Sequence, residues 1–245
     1  MMKQVRFLSA ITLVATALFF SSCNNGGETK SKAVTTESAD TSTVAIKTEP
    51  SAAKPGNLLV IKHKVANFAK WKPAYEAHDS TRLAYGLHNY VVGRGVKDSN
   101  MVIVVLKMDD ADKAKQFTAL PNLKAAMQKG GVIGAPSFRY LDVQMLDTSA
   151  NASPTRVVVT HKVKDWDAWK KSFDSHKQTR LDAGLTDRAI SYEVGDNHTV
   201  SVAFVVNDMK KAEAFIASKD LKDKMAEAGV VGAPDIFFYK VVQKY

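Results

Sequence analysis

Residues 63–82 read HKVANFAKWKPAYEAHDSTR and residues 161–180 read HKVKDWDAWKKSFDSHKQTR. One chain thus carries the same His, Trp, His and Arg twice, 98 residues apart and in the same register. Extended outward, residues 58–145 lie on residues 156–243 without a gap. Roughly a third of these positions are identical, the mark of an internal tandem repeat. The identities include Gly86 and Gly184, Phe117 and Phe215, Met127 and Met225, and a GxxGAP motif that ends at Pro136 and at Pro234.

Each copy reads in one order. LLVIKHKV and VVVTHKV are apolar and β-branched, hence strands. From Asn67 or Asp165, both N-cap types, a helix is predicted to run to Gly86 or Gly184. NYVVGRGV and MVIVVLKM joined through KDSN, and AISYEV and TVSVAFVV joined through GDNH, read as hairpins. Asp110 or Asp208 opens a second helix, interrupted near Pro121 or Ser218 and ended by Gly134 or Gly232. Pro136 or Pro234 then leads into a last strand, SFRYLDVQM or DIFFYKVVQKY.

The order βαββαβ is the ferredoxin-like plait, in which both helices cover one face of a four-stranded antiparallel sheet. A domain of ~90 residues with its other sheet face bare is marginal, so two such sheets are expected to pack face to face. The predicted class is therefore α+β: two tandem ferredoxin-like domains, residues 56–147 and 155–245, sheet to sheet, with a linker containing Pro154 between them. Each plait also has edge strands, which leaves a homo-oligomer open.

The N-terminus differs in kind. Lys3 and Arg6 precede the apolar run FLSAITLVATALFF, too short for a stop-transfer helix, and then SSC. This is the pattern of an export signal over residues 1–22. Cys23, the only cysteine, follows two small residues and resembles the lipobox of bacterial lipoproteins, with Phe20 where that motif usually has Leu. The resemblance implies acylation at Cys23 and a chain anchored by lipid at the bacterial cell envelope. Residues 23–55 are rich in Ser, Thr, Ala, Gly and Lys with little to bury, and read as a disordered tether. About 30 such residues reach on the order of 30 Å. The formal charge of +9 falls by two when Lys3 and Arg6 leave with the signal, and suits an acidic small molecule or anionic lipid. Nucleic acid is excluded as a partner by the export signal and by the lack of basic runs interleaved with aromatics.

The repeated residues also carry a family resemblance. H-K-V, then Trp, an aromatic, His and Arg along the first helix, then Asp-Asp or Asn-Asp before the second, and AGVVGAP at 228–234, resemble small proteins of the dimeric α/β-barrel superfamily. Those proteins are grouped with antibiotic-biosynthesis monooxygenases or as cyclase-like. The resemblance covers residues 58–245, with Gly130 and Ile133 in copy one where copy two has Ala228 and Val231. It implies an intrachain dimeric α/β barrel. No chemistry follows, because that superfamily includes cofactor-free oxygenases, haem-degrading enzymes and haem peroxidases.

Trp71, Tyr75, His78 and Arg82 are spaced i, i+4, i+7, i+11, within about 60° of one another around a helix. Trp169, Phe173, His176 and Arg180 repeat the set. On the first strands His63 and His161 lie on the more apolar side, the one expected beneath the helices. Two readings compete. In one, buried imidazoles are satisfied by backbone carbonyls and the arginines snorkel at helix ends. In the other, His63, Trp71, Arg82, His161, Trp169 and Arg180 bind an anionic or phenolic ligand, and His78 and His176 move a proton. The expected function is an envelope-anchored small-molecule-binding barrel, with catalysis open. A cofactor-free monooxygenase acting on a small aromatic or polyketide-like compound, and a haem-binding protein, are the alternatives. No cofactor is expected, and the histidines lack the carboxylate spacing of a metal site.

Overall fold

The computed structural model of the protein describes residues 56–245. The expected signal segment, the tether and Cys23 lie outside the described residues. Copy one runs β1 (Asn57–Val65), α1 (Phe68–Ala77), α2 (Asp79–Ala84), β2 (Leu87–Gly95), β3 (Met101–Met108), α3 (Ala111–Thr118), α4 (Pro121–Lys129) and β4 (Val132–Leu146). Copy two repeats the order as β5 (Thr155–Val163), α5 (Trp166–Ser175), α6 (Lys177–Asp182), β6 (Leu185–Glu193), β7 (Asp196–Val206), α7 (Met209–Ala217), α8 (Lys219–Glu227) and β8 (Val230–Lys244).

The expected N-caps form. Asn67, Asp110, Asp165 and Asp208 each accept the N–H three residues on, at 2.7–3.0 Å. Such a cap is worth about 1 kcal/mol. Two boundaries differ from expectation. The single long first helix is two helices, with the break at His78 and at His176, both outside helical φ/ψ. The second helical segments end at Lys129 and Glu227, not at Gly134 and Gly232. Gly131 and Gly229, with φ of 83° and 80°, make the turn out of the helix. Gly134 and Gly232 lie inside β4 and β8, at a shift in pairing register.

All eight strands form one closed barrel in the order β1-β3-β2-β8-β5-β7-β6-β4, with antiparallel pairing throughout. Within each copy the order is that of the ferredoxin-like plait, so the fold is the intrachain dimeric α/β barrel. The edge strands anticipated from the sequence are used up: β2 pairs with β8 and β4 with β6. The 15-residue length of β4 and β8 makes this possible, since each continues past its own plait onto the other.

Strand alternation sorts the core into three layers. Leu59, Ile61 and Val65 pack with Trp71 and Phe117 beneath the helices of copy one. Val157, Val163, Val202 and Phe204 do so with Trp169 in copy two. On the lumen side, between the sheets, Leu58, Ile103, Val105, Leu141 and Val143 pack with Tyr239 from copy two. Tyr239 sits so close to Gly93 that a Cβ there would lie 2.3 Å from its ring, so only glycine lets the two sheets meet at this point.

Candidate functional site

Each copy has a cavity between its sheet and its helices, and the repeated residues gather there. On β1 and β5 the first histidine points under the helices, with its ring centroid 5.5 Å from Trp71 in copy one and 5.5 Å from Trp169 in copy two. Trp71 stacks on Tyr75 at 4.9 Å, and Trp169 on Phe173 at 5.0 Å. Trp166, at helical spacing from Trp169, packs on it at 5.3 Å as a core residue.

The arginines close the helix break. A break at His78 or His176 leaves the Tyr75 and Phe173 carbonyls with only a bond from the N–H three residues on, at 3.3 and 3.2 Å. Arg82 Nη1 donates to the Tyr75 carbonyl at 2.7 Å, and Arg180 Nη1 to the Phe173 carbonyl at 2.5 Å. Each guanidinium lies over the ring of the same residue, at 4.0 Å and 3.6 Å. Arg180 also makes a two-pronged bond to Asp187 on β6, Nε to Oδ1 at 2.8 Å and Nη2 to Oδ2 at 2.7 Å. Copy one has Asn89 at that position. Arg82 pairs instead with Asp79, while Asn89 donates to Asp79 and accepts from the Tyr75 hydroxyl. The charge partner has moved from strand to helix. Arg180 therefore lines the cavity of copy two with its charge paired within the protein, and it ties the kinked helix to β6.

The histidines behave otherwise. His63 and His161 are buried, at 4% and 7% exposure, and neither ring nitrogen of either has a hydrogen-bond partner. The backbone carbonyls expected to satisfy them are absent. Burial alone lowers both pKa values from 6.5 to about 4, so both rings are neutral at pH 7. His176 is anchored: its Nδ1–H donates to the Ser172 carbonyl at 2.8 Å, leaving Nε2 as the acceptor in the neutral ring. His78 has no such bond and its Nδ1 is buried without a partner.

The two cavities have diverged. That of copy two encloses about 310 Å³, is mostly apolar, and is lined by His161, Trp169, Phe173, His176 and Ile236. In copy one only about 50 Å³ remains around His63 and Trp71, room on the scale of a few water molecules. Ile61 replaces Val159 and Phe138 replaces Ile236 in its lining. Phe138, with Leu123 and Met127, also borders a separate outer pocket of about 260 Å³, so these side chains divide the space that is continuous in copy two. The sequence marked both sets of four residues but not this inequality; the signal was the pair of size changes at positions 61 and 138.

Among the described residues, no three His, Cys, Asp or Glu side chains gather where they could hold a metal ion. No helix there is long and apolar enough to cross a membrane.

No protein-family model matches the sequence, and no curated protein is similar to it. Solved structures share the fold. A candidate monooxygenase from Fusobacterium nucleatum superposes with a TM-score of 0.53 at 15% identity, over 78% of this chain and 94% of that one. An anthrone oxidase-like protein matches with a TM-score of 0.51 at 14% identity, over 78% and 92% of the two chains. A candidate chlorite dismutase matches at 0.50 and 14%, over 77% and 96%.

Proposed function

We propose that the chain is a small-molecule-binding barrel held at the bacterial cell envelope through Cys23, and that copy two holds the ligand. The observation that carries this reading is His161: a buried imidazole with both nitrogens unpartnered, on the wall of an apolar cavity of about 310 Å³. An unsatisfied buried polar group costs about 1–3 kcal/mol, which a ligand hydroxyl would offset. The volume is at the lower end of the range for drug-sized ligands. With Arg180 committed to Asp187, the site favours a neutral aromatic hydroxy compound over an anion. Copy one, with its filled cavity, does not bind, so the stoichiometry is one ligand per chain.

The test uses 1-naphthol, with naphthalene as the hydroxyl-free control, and reads quenching of the tryptophan fluorescence. The parent should bind naphthol at a 1:1 ratio and at least tenfold tighter than naphthalene. His161→Leu should abolish that preference and leave naphthalene binding in place. Equal binding of the two probes by the parent, or an unchanged preference in His161→Leu, would overturn the assignment.

A second reading, cofactor-free oxygenation, is favoured by one detail. The anchored His176 presents Nε2 as a proton acceptor from the lining of the cavity, as general-base chemistry on a phenolic hydroxyl or on the acidic C–H of an anthrone requires. Oxygen uptake with an anthrone as substrate, lost in His176→Ala, would support it. A saturable shift and sharpening of the Soret band, relative to free haemin, would instead favour the haem-binding alternative. For the anchor, Cys23→Ser should release the chain from the detergent-phase fraction, and unchanged partitioning would refute acylation.

A further inference from the structure

The barrel lumen has diverged between the copies in a different way from the helix side. Where copy one places Leu58, Ile103 and Leu141 on the lumen face, copy two places Arg156, Ser201 and Tyr239. Where copy one has Tyr90 and Leu146, copy two has Arg188 and Lys244. One copy thus supplies an apolar wall and the other a polar one. Between them, at the end of the barrel where β1 and β5 begin, lies a cavity of about 100 Å³.

Two cations of the polar wall have no carboxylate partner. Arg156 is buried, at 4% exposure, and Arg188 half-buried, yet neither forms a salt bridge with any described residue. Both are held by backbone carbonyls: Arg156 Nη1 donates to Ser153 and Thr155 at 2.6 and 2.8 Å, and Arg188 Nη1 to Ser149 at 2.7 Å. No Asp or Glu lines the cavity. Asp147, which feels the charge of Arg188, is committed to the N–H and hydroxyl of Ser149 at 2.8 and 2.9 Å. Burying a guanidinium without a carboxylate is unfavourable unless an anion arrives. Burial chiefly, and Arg188 in part, hold the Arg156 pKa below its usual value, and burial pushes the Tyr239 hydroxyl up to about 12, so the latter remains an O–H donor.

We infer that this end of the lumen is a second ligand site, separate from the helix-side cavity, for a small organic monoanion with a short apolar tail. The anionic head lies between Arg156 and Arg188 with Tyr239 donating to it, and the tail lies against Leu58, Ile103 and Leu141. The apolar wall and the small volume exclude large or multiply charged anions.

Calorimetric titration of the full chain at low salt with butyrate, butyramide and inorganic phosphate tests this. Butyrate should bind saturably at 1:1, and at least tenfold tighter than either control. Arg156→Leu and Arg188→Tyr, each the residue that copy one carries at the equivalent position, should each weaken butyrate at least tenfold while leaving naphthol binding unchanged. Binding of butyramide or phosphate as tight as that of butyrate, no saturable binding of butyrate, or unaltered binding in both variants would overturn the site. If Arg156→Leu does not fold, the probe contrast in the parent and Arg188→Tyr decide the matter.

Discussion

Replacing Arg180 by Met is expected to destabilise the fold by about 3–5 kcal/mol, whereas Arg82→Met should cost about 1–2 kcal/mol. The two arginines are equivalent in the repeat and both are buried, so burial alone predicts equal losses. Their partners differ. The Asp187 side chain is only 12% exposed, and loss of Arg180 strands a carboxylate that water barely reaches. The Asp79 side chain is 46% exposed and is solvated when Arg82 is removed. Each variant also removes one of two hydrogen bonds to a helix-end carbonyl, the other coming from the His78 or His176 N–H, a shared loss that cancels in the comparison. Urea denaturation of the two single variants measures the difference. Restoration of most of the lost stability in Arg180→Met with Asp187→Asn would identify the stranded carboxylate as the cause, and equal losses in the two single variants would refute the account.

The contrast also shows how much the sequence could disclose. A gapless repeat of βαββαβ order needs only periodicity and turn residues to be read, and the bare sheet faces left one economical packing. The closure by β2 with β8 and β4 with β6 was not legible, because strand pairing between repeats leaves no local pattern. Nor was the helix break: Pro73, the residue that would suggest one, lies inside α1 and the chain turns five residues later at His78. The ion pair of Arg180 with Asp187 was hidden for a related reason. Only once α6 ends and Gly184 turns the chain back does β6 bring residue 187 beside the helix. The histidines were legible as a set, but whether a carbonyl or an apolar cavity would meet them depended on neighbours from many elements far apart in sequence.

Those same histidines should make the chain lose stability in acid well before its carboxylates titrate. A group with a pKa of about 4 in the folded state and 6.5 when unfolded binds more protons unfolded between those values. Stability is therefore complete above about pH 6.5 and declines as pH falls toward 4, by as much as roughly 3 kcal/mol for each ring, since one pKa unit corresponds to about 1.4 kcal/mol. Asp98, Asp147 and Asp196 act in another window. Their folded pKa values are lowered by hydrogen bonds, from Lys64, from the Ser149 backbone and from Thr199 first in each case, so their contribution is lost only below about pH 3.8. Denaturation curves collected from pH 7 to pH 3 should show both limbs in the parent. His63→Leu with His161→Leu should flatten the limb between 6.5 and 4, keep the one below it, and raise stability at pH 5 above that of the parent. An unchanged limb above pH 4 in the double variant would mean that the rings reach solvent, and that His161 does not wait unpartnered for a ligand.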